Sequence, residues 1–175
     1  KINSSTRDID RISLKKILEK LNKEDAKVPA AVKKALPEIE KGARLLSRTF
    51  LKGNKIFFIG AGTSGRLGVL EASELPPTYG VSRGQFIAIM AGGDFAVFLS
   101  KEGAEDIYED GFKAIKNKAA KGDLVIGIAA SGITPYVKGA LDSAKKLKAG
   151  TIFVTCNKKE NLKNDDIKIA VDHGP

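Results

Sequence analysis

The sequence predicts an α/β fold, in which a three-layer, doubly wound sheet of five parallel strands follows a helical segment. Two observations carry this prediction. From residue 55 onward, short apolar runs alternate with stretches of helical periodicity. The runs are also apolar at successive positions, so both faces of each strand are expected to be covered, as in a parallel sheet with helices on either side.

The expected strands are runs of five to seven residues, rich in Ile, Val and Phe, at 55–60, 85–90, 123–129, 151–156 and 167–171. The helical stretches after residue 60 are expected at about 64–75, 94–100, 103–119 and 133–148. Strands and helices that alternate in this way are joined by right-handed crossovers, which place helices on both faces of the sheet.

The first part of the chain is expected to be helical. The run 9–22 has its isoleucines and leucines at helical spacing, which predicts one helix. A second stretch begins at Pro29, which a first turn tolerates, and Pro37 divides it into two helices or one kinked helix. We therefore divide the chain into a helical segment, 1–50, and an α/β domain, 51–175.

The composition of the 175 residues, 42% hydrophobic and 29% charged, is that of a globular domain. No apolar stretch approaches the roughly 20 residues of a membrane-spanning helix, and no leader pattern opens the chain. The single cysteine, Cys156, cannot form an intramolecular disulfide, and its position at a strand end predicts a buried structural thiol. No membrane partner and a cytoplasmic location are expected.

The net charge of +9 raises the question of nucleic acid binding. Only six of the 30 basic residues are arginine, and the lysines are interspersed with acids rather than gathered in a run with aromatics. A small anionic molecule is therefore the favoured partner, and nucleic acid is not expected. His173 is the single histidine, so neither a metal site nor a cofactor is predicted.

Two turns rich in glycine and hydroxyl groups follow expected strands, as GAGTSGRLG after 55–60 and AASGITPY after 123–129. Ligands of open parallel sheets bind at the carboxyl ends of the strands. Glycine lets the backbone approach a ligand, and a helix start offers unpaired N–H groups to an anion. The turns therefore predict a phosphate site, with candidate binding residues Gly62, Thr63, Ser64, Gly65, Ser131, Gly132 and Thr134.

The first turn also has the GxGxxG spacing of dinucleotide-binding proteins, at Gly60, Gly62 and Gly65. A single match of this kind is weak evidence. The fingerprint also requires an acid about 20 residues further on, whereas the nearest candidate, Asp94, lies 29 residues beyond Gly65. Nucleotide binding stays open as an alternative, as does the interpretation that these glycines only form tight turns.

Four blocks, in order, resemble the N-acetylmuramic acid 6-phosphate etherase family: GAGTSGRLGVLEASELPPTYG (60–80), IMAGGD (89–94), EGAED (102–106) and GIAASGITPYV (127–137). IDRIS and EDAKVPAAV (24–32) resemble its N-terminal helices. The resemblance implies the sugar isomerase (SIS) fold, a flavodoxin-like parallel sheet flanked by helices. It also implies a phosphosugar substrate.

The resemblance implies elimination followed by hydration. A base removes the C2 proton of the open-chain sugar, an acid assists the departure of lactate from C3, and water adds at C3 to give N-acetylglucosamine 6-phosphate and D-lactate. The family's catalytic glutamates fall on Glu74, implied as the acid, and Glu105, implied as the base. From the sequence alone, Glu105 also has a structural interpretation, as one acid of a cluster near a helix start. Glu74 is expected at a helix end cut off by Pro76 and Pro77, where an acid interacts poorly with the helix dipole.

The spacing within the first turn and its helix predicts a homodimer. Glu74 lies ten residues beyond Ser64, which is roughly 15 Å along a helix. A hexose spans only about half of that distance from its phosphate to C3. One subunit's first turn and its own Glu74 are therefore expected to serve different active sites, shared between two subunits.

The sequence departs from the family at Ile133, where members commonly carry a basic residue. Members also continue past the fifth strand, so the chain is expected to lack a C-terminal portion, which leaves the activity of this short chain open. Two alternatives share the fold: a non-catalytic sugar-phosphate-binding regulator of the glucokinase regulatory protein type, and a phosphosugar isomerase with a carboxylate base. Glu74 beside the proline pair favours the etherase.

Overall fold

The computed structural model describes residues 2–158 and 166–174. The strands are β1 (Ile56–Gly60), β2 (Phe86–Met90), β3 (Leu124–Ile128), β4 (Gly150–Thr155) and β5 (Ile167–Ala170). The α-helices are α1 (Leu14–Asp25), α2 (Val28–Lys34), α3 (Leu36–Leu51), α4 (Gly62–Tyr79), α5 (Phe95–Phe98), α6 (Tyr108–Lys116) and α7 (Pro135–Lys146). Short 3₁₀ turns occupy Ser4–Thr6, Ile9–Arg11 and Ala104–Asp106.

The five strands form one parallel sheet in the order β2-β1-β3-β4-β5, which confirms the predicted fold class. Gly60, at the carboxyl end of β1, is in register with Met90 of β2 and Ile128 of β3. The chain leaves β1 toward β2 on one side and returns to β3 on the other, so the strand order reverses between β1 and β3. In open α/β sheets the crevice at this reversal is where ligands bind.

Helices cover both faces of the sheet and form two apolar layers. On one face, α6 and α7 pack on Phe57, Val125 and Phe153, all fully buried. On the other face, α3 and α4 pack on a second cluster that includes Ile56 and Leu124. Side chains alternate between the faces of a strand, which explains why each strand has apolar residues at successive positions.

Helices α6 and α7 meet with their backbones in contact at two glycines. A Cβ atom on Gly111 would lie 1.9 Å from the carbonyl oxygen of Tyr136, and one on Gly139 would lie 2.1 Å from that of Tyr108. No side chain fits at either position, because a Cβ atom does not come within 3.0 Å of a non-bonded atom. The contact holds the start of α6, and the 3₁₀ turn before it, against α7.

The N-terminal predictions are confirmed in part. The single helix expected over 9–22 is wrong: Ile9–Arg11 is a 3₁₀ turn, and α1 starts at Leu14 because Ser13 is extended at its N-cap position. The division near Pro37 is confirmed as two helices, α2 and α3, with Pro29 and Pro37 in their first turns. The boundary between segment 1–50 and domain 51–175 stays a prediction.

The expected end of the helix after β1 is wrong, because α4 continues through Pro76 and Pro77 to Tyr79. Proline has a fixed φ that is close to the helical value, and the backbone stays helical through Pro76 and Pro77. Because proline has no N–H group, the carbonyls of Ala72 and Ser73 each lose a helical hydrogen bond. Gly80, with φ +66°, ends α4 and donates its N–H to the Pro76 carbonyl. Glu74 therefore lies within the helix rather than at its end.

Two other predicted helices are shorter in the structure. The stretch 103–119 divides into the 3₁₀ turn Ala104–Asp106 and α6, because Gly103 is left-handed, at φ +78°, and Ile107 is extended. The stretch 94–100 contains only α5, four residues long. No helix of the described residues is long and apolar enough to cross a membrane.

Replacing Gly111 with alanine should lower the free energy of unfolding by about 1–3 kcal/mol or more, because its Cβ would overlap a backbone atom that cannot rotate away. Gly42→Ala in α3 is the matched control, since the new Cβ would meet only the Cδ1 atoms of Ile169 and Ile152, at 3.1 and 3.6 Å. Urea unfolding of both variants measures the difference. Equal stability of the two variants would show that α6 and α7 can move apart to accommodate the new methyl group without loss of stability.

Candidate phosphosugar site

A cavity of about 240 Å³ opens at the carboxyl ends of the strands, beside the reversal between β1 and β3. Three segments form its walls: the turn after β1, the turn after β3, and the segment from β2 to α6. Its lining includes Gly62, Arg66, Lys101, Glu102, Glu105 and Thr134. The predicted site residues Gly62, Glu105 and Thr134 therefore lie together, although they are far apart in the sequence.

The first wall is the start of α4. Gly62 is its first residue, with φ +53°, and the first intrahelical bond runs from the Gly65 N–H to the Ala61 carbonyl, at 3.3 Å. The N–H groups of Gly62, Thr63 and Ser64 precede that bond, so the helix itself does not use them. Unpaired N–H groups at a helix start favour an anion.

Gly65 brings this helix start close to the sheet. A Cβ there would lie 2.7 Å from the Met90 Cγ and 2.8 Å from the Gly60 carbonyl oxygen. Any side chain would thus push α4 away from the ends of β1 and β2. Gly65 is buried, Ser64 is half-buried and Thr63 is exposed, so Thr63 and Ser64 have the more accessible hydroxyl groups of this turn.

The second wall is the turn that leads into α7. Thr134 is the N-cap residue of α7, in extended conformation, and Gly132 is left-handed, with φ +83°. The Ser131 hydroxyl accepts the Ile133 N–H at 3.4 Å, and the Ser131 carbonyl accepts a bond from the Asn157 side chain at 3.0 Å. These bonds hold the turn in place from within and from the loop after β4.

Arg66, on α4, holds the third wall against the first. Its Nε donates to the Val97 carbonyl at 2.8 Å and its Nη2 to the Ala96 carbonyl at 2.9 Å. The side chain therefore ties the first turn of α4 to the end of α5, where carbonyl groups lack helical partners. Lys101 follows, with its Cβ and Cδ packed over the backbone of Gly92.

Glu105 is half-buried in the 3₁₀ turn before α6 and lines the cavity. Its neighbour Ala104 is buried in the core under α7, which fixes the turn. Glu105 shares the cavity with Glu102 and with the basic side chains Arg66 and Lys101. A carboxylate in this position shares the small cavity with Gly62 of the first predicted turn and Thr134 of the second. The other predicted binding residues do not line the cavity: Thr63, Ser64, Gly65, Ser131 and Gly132.

Glu74 does not line this cavity. It is exposed on α4, about 18 Å along the helix from Gly62, at the usual rise per residue. Leu67 and Leu70 lie on the same helix face and are 51% and 55% exposed. The structure thus places one predicted catalytic glutamate with the turns and the other on an apolar outer surface.

No role was predicted from the sequence for Arg66 or Lys101, although Arg66 belongs to the GAGTSGRLG turn. Arg66 lies one helical turn beyond Gly62, and that spacing could have indicated that it faces the same crevice. Lys101 has no comparable signal, because its place depends on how the segment after α5 folds. The prediction for Cys156 is wrong: it is exposed, since it follows the last residue of β4 at the open end of the sheet.

The described residues hold no group of three or more His, Cys, Asp or Glu side chains that could bind a metal ion. Tyr136, in the first turn of α7, belongs to the core instead of the cavity. Burial and the nearby Asp110 carboxylate raise the pKa of Tyr136 to about 12, so its hydroxyl stays protonated at neutral pH. The titratable groups that line the cavity are therefore carboxylates and basic side chains.

Sequence comparison identifies the family. The glucokinase regulatory protein N-terminal SIS domain matches residues 38–145, which include β1, β2, β3 and both glycine-rich turns. The chain belongs to this SIS-domain family. The matched range contains the whole cavity described above.

Curated relatives confirm the resemblance to the etherases. The N-acetylmuramic acid 6-phosphate etherase of Clostridium botulinum (strain Langeland) is 48% identical over 99% of the chain, and that of Lactococcus lactis is 47% identical over the same share. The relative from Caldanaerobacter subterraneus is 46% identical. The chain spans 58%, 59% and 57% of the length of these three relatives, respectively.

Solved structures confirm the SIS-type fold. A phosphoheptose isomerase from Neisseria gonorrhoeae superposes with a TM-score of 0.71, covering 92% of this chain and 86% of its own, at 18% identity. One from Francisella tularensis gives 0.70, with 91% and 85% coverage at 22% identity. At these identities the likeness concerns the arrangement of strands and helices.

Proposed function

We propose that the protein is an N-acetylmuramic acid 6-phosphate etherase, which acts in the catabolism of an amino sugar recycled from the cell wall. One observation carries the proposal: Glu105 lies in a single cavity with Gly62 and Thr134, one residue from each glycine-rich turn. Relatives 46–48% identical over 99% of the chain have this name, which supports the proposal, and the chain spans 57–59% of their length. The single cysteine supports the cytoplasm as its location.

The phosphate of the substrate binds between the two turns. The N–H groups of Gly62, Thr63 and Ser64 and the hydroxyls of Ser64, Ser131 and Thr134 are its donors, with Gly65 and Gly132 allowing close approach. This assignment rests on the position of both turns beside the reversal in strand order. The sugar then extends from the turns toward the third wall of the cavity.

Glu105 acts as the base. With the phosphate at the turns, the sugar ring carbons lie toward Glu105, which removes the C2 proton of the open-chain aldehyde. The C3–O bond breaks, a C2–C3 double bond forms, and the lactate oxygen takes a proton from the acid. Water then adds its hydroxyl to C3, and C2 regains a proton, so one water is consumed for each lactate released.

Glu74 acts as the acid in the site of a second subunit. The cavity of one chain does not include it, although Leu67, Leu70 and Glu74 share an exposed face of α4. If two α4 helices pair antiparallel about a two-fold axis between Leu67 and Leu70, Glu74 lies opposite the partner's Thr63. An isologous contact of this kind covers both leucines and brings Glu74 to the partner's phosphate turn.

The second function considered from the sequence, a non-catalytic sugar-phosphate sensor, shares the matched domain of the glucokinase regulatory protein, but the etherase relatives do not favour it. Such a protein uses the same phosphate turns and requires no base in the cavity. Incubation with N-acetylmuramic acid 6-phosphate separates the two functions. An etherase releases D-lactate in proportion to the sugar consumed, whereas a sensor binds the sugar and releases none.

Replacing Glu105 or Glu74 with glutamine should lower the rate of lactate release by about 10²–10⁴-fold, because each variant loses one proton-transfer group. The melting temperature should stay that of the wild type, since neither carboxylate has a hydrogen bond or ion pair with the described residues. The controls Glu71→Gln on α4 and Glu109→Gln on α6 are exposed acids outside the cavity, and should keep full activity. If the melting temperature instead falls together with the activity, the replaced glutamate has a structural role.

Mixing the inactive variants Glu74→Gln and Glu105→Gln should restore activity to about a quarter of wild type if subunits exchange at random. Half of the dimers are then mixed, and each mixed dimer has one site with Glu105 from one chain and Glu74 from the other. A mixture of Glu105→Gln with the double variant is the control and should stay inactive. No recovery, with exchange demonstrated by mass spectrometry after uniform ¹⁵N labelling of one variant, would place both glutamates of a site in one chain.

A further inference from the structure

Lys101 is the basic side chain of the cavity that has no hydrogen-bonding or ionic partner among the described residues. The other, Arg66, donates to two backbone carbonyls of the α5 segment. Lys101 makes no hydrogen bond or ion pair with the residues that the structure describes. Its three N–H donors are therefore available to a ligand in the cavity.

The aliphatic part of the Lys101 side chain packs over Gly92, whereas its ammonium group has no partner in the described part of the chain. Its Cδ and Cβ lie 3.1 and 3.3 Å from the point where a Cβ on Gly92 would be, so the stem covers this glycine. Arg66 anchors the end of α5, from which the chain leads directly to Lys101. A side chain held this way loses less rotamer freedom when a ligand binds its ammonium group.

We infer that the Lys101 ammonium binds the carboxylate of the substrate's 3-O-lactyl group and thereby selects an acidic ether over a neutral one. The inference rests on the proposed function. The substrate has two anionic groups, and the turns take the phosphate. Lys101 precedes Glu105 by four residues on the same cavity wall. If Glu105 reaches C2, then the substituent on the adjacent C3 lies beside Lys101.

The lactyl carboxylate keeps its charge through C3–O cleavage. Lys101 therefore binds substrate and transition state alike, and its loss should raise KM with little change in kcat. A residue that only supported the shape of the cavity would instead affect every substrate. The methyl ester of the lactyl group distinguishes these cases, because it has the same ring, phosphate and ether but no second charge.

The test compares KM and kcat for the acid and its methyl ester in the wild type, Lys101→Met, Lys101→Arg and the control Lys121→Met. Lys121 is an exposed lysine outside the cavity, ahead of β3. Lys101→Met should raise KM for the acid about tenfold at low ionic strength, while its KM for the ester stays at the wild-type value. Lys101→Arg should restore most of the affinity for the acid, and Lys121→Met should match the wild type. An equal rise for acid and ester, or no rise for either, would overturn the inference.

The same experiments distinguish an error in the proposed function from an error in the role of Lys101. If the wild type releases no lactate from either compound, the etherase proposal is wrong, and calorimetric binding of the same two compounds decides the role of Lys101. An approximately tenfold weaker binding of the acid alone to Lys101→Met would still support the carboxylate contact. Equal binding of both compounds to wild type and variant would overturn it.

Discussion

The backbone contact between α6 and α7 is the constraint on which the cavity depends. Gly111 and Gly139 let the two helices approach until carbonyl oxygens occupy the space of side chains. This approach fixes the 3₁₀ turn Ala104–Asp106 against α7, whose own start carries Thr134. Glu105 and the second glycine-rich turn thereby reach one cavity, although they lie on segments separated by α6 and β3.

The sheet supplies the rest of the arrangement. Parallel strands end at the same edge, and the reversal of strand order between β1 and β3 leaves a crevice between the turns that follow them. Gly65 brings the start of α4 onto the ends of β1 and β2, and Arg66 then ties α4 to α5. The cavity consequently has residues of the two glycine-rich turns on one side and, on the other, carboxylate and ammonium groups.

The sequence predicted the sheet well because its strands are covered on both faces and therefore read as continuous apolar runs. Helix ends were harder to predict. Pro76 and Pro77 were taken as a stop, yet their φ is helical and Gly80 ends α4 instead. The stretch 103–119 was predicted as one helix, yet the extended Ile107 divides it into a 3₁₀ turn and α6. The roles of both turns and of Glu105 stay predictions from the sequence. No role was predicted for Lys101, because the fold after α5, and no local pattern, places it at the cavity.

We propose that the two turns and Glu105 form one phosphosugar site. A crystal structure of the chain with the proposed product, N-acetylglucosamine 6-phosphate, tests this claim most directly. We expect the phosphate between the Gly62–Gly65 and Ser131–Thr134 turns, with C2 of the sugar within about 3–3.5 Å of the Glu105 carboxylate. A phosphate bound on another surface, or a sugar that extends from the turns away from Glu105, would contradict the account.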